Sequence, residues 1–186
     1  DLPATVPPGR RAAQRAAWGV AEYEILVGTV ANLREIKNLP EFVAAAAHLG
    51  QEQPRLRFVV VGEGPDRADL ESRIRAAGLE GRFQLVGRML DVRPALSAFD
   101  IAVQCSRAES SSNSLIEAMA AGLAVAASDI PGNAEAIVHD VSGLLYPVGR
   151  PDTLAAALSR LAGDAELRAR LGAAARRVAL ETYSMS

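Results

Sequence analysis

The chain has 186 residues, 49% hydrophobic and 23% charged, with a formal net charge of −2. That length suits one domain able to bury a core without disulfides or structural metal, and the charge balance leaves no electrostatic footprint for nucleic acid or anionic lipid. A single cysteine, Cys105, excludes a disulfide framework and a cysteine-built zinc site, no apolar run is long enough for a membrane helix, and the opening DLPATVPPGRR has no signal-peptide core, so a soluble cytoplasmic domain is expected.

Residues 1–22 are rich in Pro, Arg and Ala, with one helical stretch around Arg11–Trp18, and read as the end of a linker; residues 23–186 form the domain. Glu24–Asn32 is an apolar, β-branched run, and Leu39–Leu49 a helix with Phe42, Val43, Ala46 and Leu49 on one face. Arg55–Val61 is a second strand. Pro65–Ala77 is a second helix, with Pro65 in its first turn and Gly78 as its stop. Arg82–Val86 is a short strand, Val92–Phe99 a short helix and Asp100–Cys105 a fourth strand. A helix over Asn113–Ala121 closes at Gly122; Leu123–Ala127 is a buried strand, Gly132–Val138 a short helix and Gly143–Tyr146 a last strand. Helices over Pro151–Leu161 and Asp164–Thr182 finish the chain.

Near-continuous Val, Ile, Leu and Ala strands alternating with helices mean a parallel sheet buried on both faces. Right-handed crossovers then give an α/β, doubly wound, Rossmann-like sheet of about six strands. Such a sheet binds ligands outside the carboxyl ends of its strands, where strand order reverses. The loops at those ends are Ala31–Asn38, Gly62–Pro65, Gly87–Asp91, Ser106–Asn113 and Ser128–Gly132.

The loop Gly62-Glu63-Gly64-Pro65-Asp66-Arg67 begins like a dinucleotide fingerprint, but its last position is Arg67, and Arg82-Phe83-Gln84 stands where an acidic residue should hold a ribose. A nicotinamide or flavin site is therefore rejected, leaving a tight turn whose glycine backbone can approach a ligand. Arg34 and Lys37 bring two cations to the first loop. Of 20 basic residues Lys37 is the only lysine, which favours a compact charge on a phosphate over a merely solvated loop.

The segment from Ser106 to Glu117 reads SRAESSSNSLIE, with seven residues between Glu109 and Glu117. Ser111, Ser112 or Asn113 can cap the helix that follows, whose first amides make an anion site. Glu117 also fits a capping box with Ser114, and Glu109 a solvated loop. Paired carboxylates could mean glycoside hydrolysis, ranked lower because that chemistry gains nothing from phosphate-ready surroundings. Neither His48 nor His139 has a triad or metal-ligand arrangement nearby.

Taken in order, VANLREIKNLPEFVAAAAHL, VVVGEGPDR, FQLVGR and FDIAVQCSRAESSSNSLIEAMAAGLAVAASDIPGNAEAIVHDVSGLL resemble the C-terminal, donor-binding domain of a GT-B-fold retaining glycosyltransferase of family 4, the group 1 type. The resemblance covers Ile25 to Leu161, and its most specific element is the E-x7-E segment running into E-A-M-A-x-G.

The resemblance implies that Lys37 meets the donor diphosphate, and that Gly62 and Gly64 form the glycine loop beneath the donor. It puts Gly87 and Arg88 against the base, Glu109 at the transferred sugar's hydroxyls, and Ser112, Asn113, Ser114 and Leu115 at the helix start whose amides meet the phosphate. Glu117 takes the ribose hydroxyls. Glu109 and Lys37 are thus the catalytic candidates. The sequence departs from the family at Asn32, where many members carry arginine and from which Arg34 could take over, and at Ser110-Ser111-Ser112, where glycine is usual. No metal and no cofactor are expected; the substrate is a UDP-, GDP- or ADP-sugar or similar. A GT-B enzyme has two such domains, so the chain reads as a half whose acceptor-binding N-terminal partner is missing, inactive alone. The acceptor would be a sugar, lipid or polysaccharide, and any peripheral hold on the inner membrane would come through the missing half. A non-catalytic nucleotide-binding module on the same sheet is the alternative.

Overall fold

The computed structural model describes residues 9–183; residues 1–8 and 184–186, which include the start of the linker reading and the chain's last residues, lie outside the described residues. Six strands form one parallel sheet, β1 (Ile25–Val30), β2 (Leu56–Val61), β3 (Phe83–Gly87), β4 (Ile101–Gln104), β5 (Ala124–Ser128) and β6 (Leu144–Tyr146), in the order β3-β2-β1-β4-β5-β6. The helices are α1 (Arg10–Ala17), α2 (Leu39–Leu49), α3 (Arg67–Ala76), α4 (Arg93–Ala98), α5 (Asn113–Ala120), α6 (Pro131–Ala134), α7 (Pro151–Gly163) and α8 (Ala165–Tyr183). The doubly wound α/β architecture is the expected one.

Apart from the edge strand β3, where only Phe83 is buried, the strands are covered on both faces because their side chains alternate between two cores. Leu56, Phe58 and Val60 of β2 join Phe42, Leu70, Ile74, Leu154 and Leu158 on the face covered by α2, α3 and α7. Val59 and Val61 point the other way, to Leu96, Phe99, Leu115 and Met119 on the face covered by α4 and α5. Helix α8 runs from one core to the other, giving Leu167 and Leu171 to the first and Ala175 and Ala179 to the second. Phe42, Phe58 and Phe83 pack together with ring centroids 5.0–5.8 Å apart, spacings at which aromatic pairs attract beyond their burial.

Helix ends follow local chemistry. Gly122 closes α5 with φ of 79°, its amide bonded to Met119 O and that of Leu123 to Ala118 O, a paired closure that only a left-handed residue permits cheaply. Helix α3 begins at Arg67, not in the turn around Pro65, because the Asp66 amide is bound to Leu33 O at 3.1 Å and that of Arg67 to Gly64 O, holding Gly64–Asp66 as a turn against the first loop. Helix α6 is shorter than the pattern predicts, and the chain from Glu135 to Ser142 passes through turns before β6.

The linker-like segment carries α1, which lies on α4; Trp18 stacks on Phe99 with centroids 6.2 Å apart, and Val20 is buried. Strand order reverses between β1 and β4, so the loops leaving these two neighbours diverge at their carboxyl ends.

Candidate donor site

The loop after β1 is shaped by backbone contacts with the loop after β2. The Leu33 amide donates to Glu63 O at 3.0 Å, and a Cβ on Gly64 would lie 2.3 Å from Leu33 O, so this glycine permits the close approach. Gly62 is held from the far side, its amide donating to Gly87 O at 2.8 Å. Replacing Gly64 by alanine is expected to force these backbones apart at a cost of about 1–3 kcal/mol, read as a lowered thermal midpoint.

Lys37 ends a 3-10 turn, Glu35–Lys37, closed by Asn38 in the left-handed region at φ of 51°. Two bonds tie this turn to the loop after β4: the Arg107 amide donates to Ile36 O at 2.9 Å and Cys105 Sγ to Lys37 O at 3.3 Å. Beneath it, buried Asn38 donates to the Glu41 carboxylate; burial pushes the Glu41 carboxyl up, against the amides of Gly149 and Arg150, which favour its charge. Burial also pushes the Cys105 thiol up to about 12, which disqualifies it as a nucleophile. The Lys37 ammonium is paired with the Glu109 carboxylate, which also accepts from Ser106 Oγ at 2.8 Å. A Cβ on Gly132 would meet Glu109 O at 2.3 Å, so the start of α6 packs against the backbone that carries this glutamate.

Helix α5 is capped by Ser112, whose hydroxyl accepts from the Leu115 amide at 3.4 Å. The amides of Asn113 and Ser114, first in the helix, have no intrahelical acceptor. This cap also corrects one expectation: with Ser112 at the N-cap, Ser114 lies within the helix and Glu117 is too far along for a capping box with it. Burial instead pushes the Glu117 carboxyl up.

These elements surround a cleft of about 280 Å³ at the switch point. Lys37, Asn113, Ser114 and Glu117 line it, together with Asn32, Gly62 and Arg88. Glu109 stands beside it, joined through Lys37. Of the two glutamates only Glu117 lines this space, so they do not face each other across it as a hydrolase pair would. Arg34 is exposed and outside the lining; Gly64 lies under the first loop, Gly87 acts through its carbonyl, Ser112 is the buried cap, and Leu115 is a core residue that contributes only its amide to the helix tip. The sequence reading missed Met89 and Val92, which give the cleft an apolar wall with Val30 and Val61; apolar residues in a strand-end loop were the available signal. The histidines lie outside the lining: His48 is exposed near the end of α2, and His139 Nδ1 accepts the Leu145 amide. Among the described residues no cluster of His, Cys, Asp and Glu is arranged to hold a metal, and no helix is long and apolar enough to cross a membrane.

Residues 10–178 match the family described as "Glycosyl transferases group 1". The chain is 31% identical over 179 residues to the alpha-D-kanosaminyltransferase of Streptomyces kanamyceticus, covering 95% of this chain and 46% of that protein. Among solved structures it superposes with a TM-score of 0.89 and 26% identity on Anabaena Alr3699/HepE in complex with UDP-glucose, over 96% of this chain and 50% of that one. It also superposes with a TM-score of 0.84 and 26% identity on the C-terminal domain of a group 1 family glycosyl transferase (LpcC) from Francisella tularensis, over 97% of this chain and 96% of that one. The chain spans less than half the length of several curated relatives, the kanosaminyltransferase among them. With its fold, switch-point cleft and sequence in agreement, the chain belongs to the group 1 glycosyltransferases.

Proposed function

We propose that this chain is the donor-binding half of a cytoplasmic glycosyltransferase that moves a sugar from a nucleotide diphosphate to an acceptor, with retention of configuration and without a metal. One observation carries the reading: the Lys37 ammonium, the Asn113–Ser114 helix tip and the Glu117 carboxylate converge on one cleft. A cation and helix-end amides suit a diphosphate, and a carboxylate suits the two ribose hydroxyls. The Anabaena neighbour is described in complex with UDP-glucose, which supports a nucleotide sugar as ligand here. Retention rests on the likeness to the family.

In this reading the bond between the anomeric carbon and the β-phosphate oxygen breaks and its electron pair leaves with the diphosphate. Lys37 and the α5 tip stabilise that growing charge. Glu109, adjoining Lys37, receives the sugar's hydroxyls and orients the ring, and Glu117 anchors the ribose, which together hold the donor near its attack geometry. No cofactor takes part. The acceptor, a sugar, lipid or polysaccharide, is held by an N-terminal domain, and this half alone turns nothing over.

Calorimetry with UDP, GDP and ADP tests the donor site. One nucleotide should bind, and Lys37→Ala should weaken it about tenfold, the scale of one charge-assisted hydrogen bond. Affinity unchanged in that variant would remove the donor-site assignment, and sugar transfer by this polypeptide alone would refute its reading as a half-enzyme.

A further inference from the structure

Strand β4 carries Ile101, Ala102 and Val103 into the core and ends in Gln104, which is only 3% exposed. An apolar residue would fill that position without the cost of burying an amide, which is high unless both ends are hydrogen-bonded. Both ends are engaged, and with different parts of the site. Nε2 donates to Ser112 Oγ, the cap of α5, and Oε1 faces Ser106 Oγ at 3.4 Å. The single Ser106 proton is shared between Glu109, the partner of Lys37, at 2.8 Å and, more weakly, Gln104 Oε1. On the other side Ser112 Oγ bonds the Leu115 amide and lies 3.2 Å from Ser114 Oγ, and Ser114 lines the cleft. A continuous buried chain thus runs behind the loop from the Lys37–Glu109 pair to the helix tip, with one amide at its centre. The loop in front is exposed at Arg107, Ala108, Ser110 and Ser111.

We infer that Gln104 is a positioning residue: its amide is the strut that sets the Glu109 carboxylate and the α5 tip in one frame, so that the sugar-facing and phosphate-facing groups keep a fixed spacing. The functional half of this statement rests on the donor-site reading above; the structural half does not.

Because Lys37 is the only lysine, selective 13C-lysine labelling yields one Cε resonance that reports its pairing with Glu109. Without ligand, Gln104→Leu is expected to move that resonance measurably from its wild-type position, because the Ser106 proton then goes to Glu109 alone and the carboxylate loses its fixed frame. A wild-type resonance in Gln104→Leu overturns the inference. In calorimetry, Gln104→Leu should weaken UDP-glucose about fivefold more than it weakens UDP, because the lost amide frees the α5 tip, which meets the phosphates of either ligand, and also Glu109, which meets only the sugar. An equal fall for both ligands would also overturn it, since a merely loosened fold weakens both. Ser106→Ala breaks the same chain at another link and serves if the leucine variant does not fold. Combined with Gln104→Leu it should cost less than it does alone, whereas fully additive effects would show two independent contributions and sink the strut. Wild-type protein that bound neither UDP nor UDP-glucose would remove the donor-site reading, and the ligand-free lysine signal would still decide on the strut.

Discussion

Glu117→Gln is expected to raise the thermal midpoint at neutral pH while weakening nucleotide binding about thirtyfold, roughly 2 kcal/mol for a carboxylate acceptor of two hydroxyls. The opposition follows from where the side chain sits. Burial raises the Glu117 carboxyl above its ordinary value of 4.5, so between that value and the raised one the folded chain holds a proton that the unfolded chain has released. Stability therefore falls as pH rises through that window, and the full cost is present above it. Glutamine keeps the shape without the charge, so the advantage of the variant should be largest near neutrality and vanish below the ordinary carboxylate range. Binding runs the other way. The ionised carboxylate is the stronger acceptor, so wild-type affinity should decline on acidification earlier than an unperturbed carboxylate would dictate. UDP-glucose is the ligand for this titration, because the terminal phosphate of UDP itself protonates near about 6. A variant that lost stability, or bound nucleotide as tightly as wild type, would return Glu117 to a structural role.

The tension at Glu117 indicates what was legible in the sequence. Periodicity and punctuation located the elements: α2 spans Leu39–Leu49 as predicted, Gly122 stops α5, and Asn113 opens it. The parallel sheet followed from apolar strands between helices, and the ligand edge followed from the sheet. Within the site, Lys37, Asn113, Ser114 and Glu117 reach one cleft, as a lone lysine and a helix start after a strand had suggested. Pairings across the sequence were not legible. That Lys37 holds Glu109, 72 residues on, depends on the crossing of two loops that no local pattern encodes. Gln104 looked like an ordinary strand-end residue because its meaning lies in which hydroxyls stand at its two ends. Met89 and Val92 were passed over because apolar residues beside a strand end read equally well as core.

The same lesson applies most strongly to residues read as a linker, where Arg15→Ala is expected to cost about 2–4 kcal/mol of stability, from a buried guanidinium's lost charge-assisted bonds and the acceptors left without it. Arg15 is 5% exposed, and its guanidinium donates to Ala98 O at 3.0 Å, Asp100 Oδ2 at 2.9 Å, Ala21 O at 2.8 Å and Glu24 O at 2.6 Å. Asp100 also accepts the Leu26 amide at 2.7 Å and pairs with the more exposed Arg11 of the same helix, so this node joins α1 to the starts of β1 and β4 and to the end of α4. Truncation would leave Asp100 with only the more exposed Arg11 as its cation and take a donor from three carbonyls, of which Ala21 O keeps the Glu24 amide, and each buried group left unsatisfied adds its own desolvation cost. Lysine should recover only part of the loss, since a compact ammonium cannot span four acceptors as the planar guanidinium does. Urea titration monitored through Trp18, which stacks on Phe99 beside this node, reads the change directly. The node lies at the amino-terminal ends of the strands and the cleft at their carboxyl ends, so folded Arg15→Ala protein should bind nucleotide as wild type does. A loss below about 1 kcal/mol, the scale of an exposed ion pair, would mean that α1 is dispensable to the domain; a loss in the predicted range makes this helix an integral part of it.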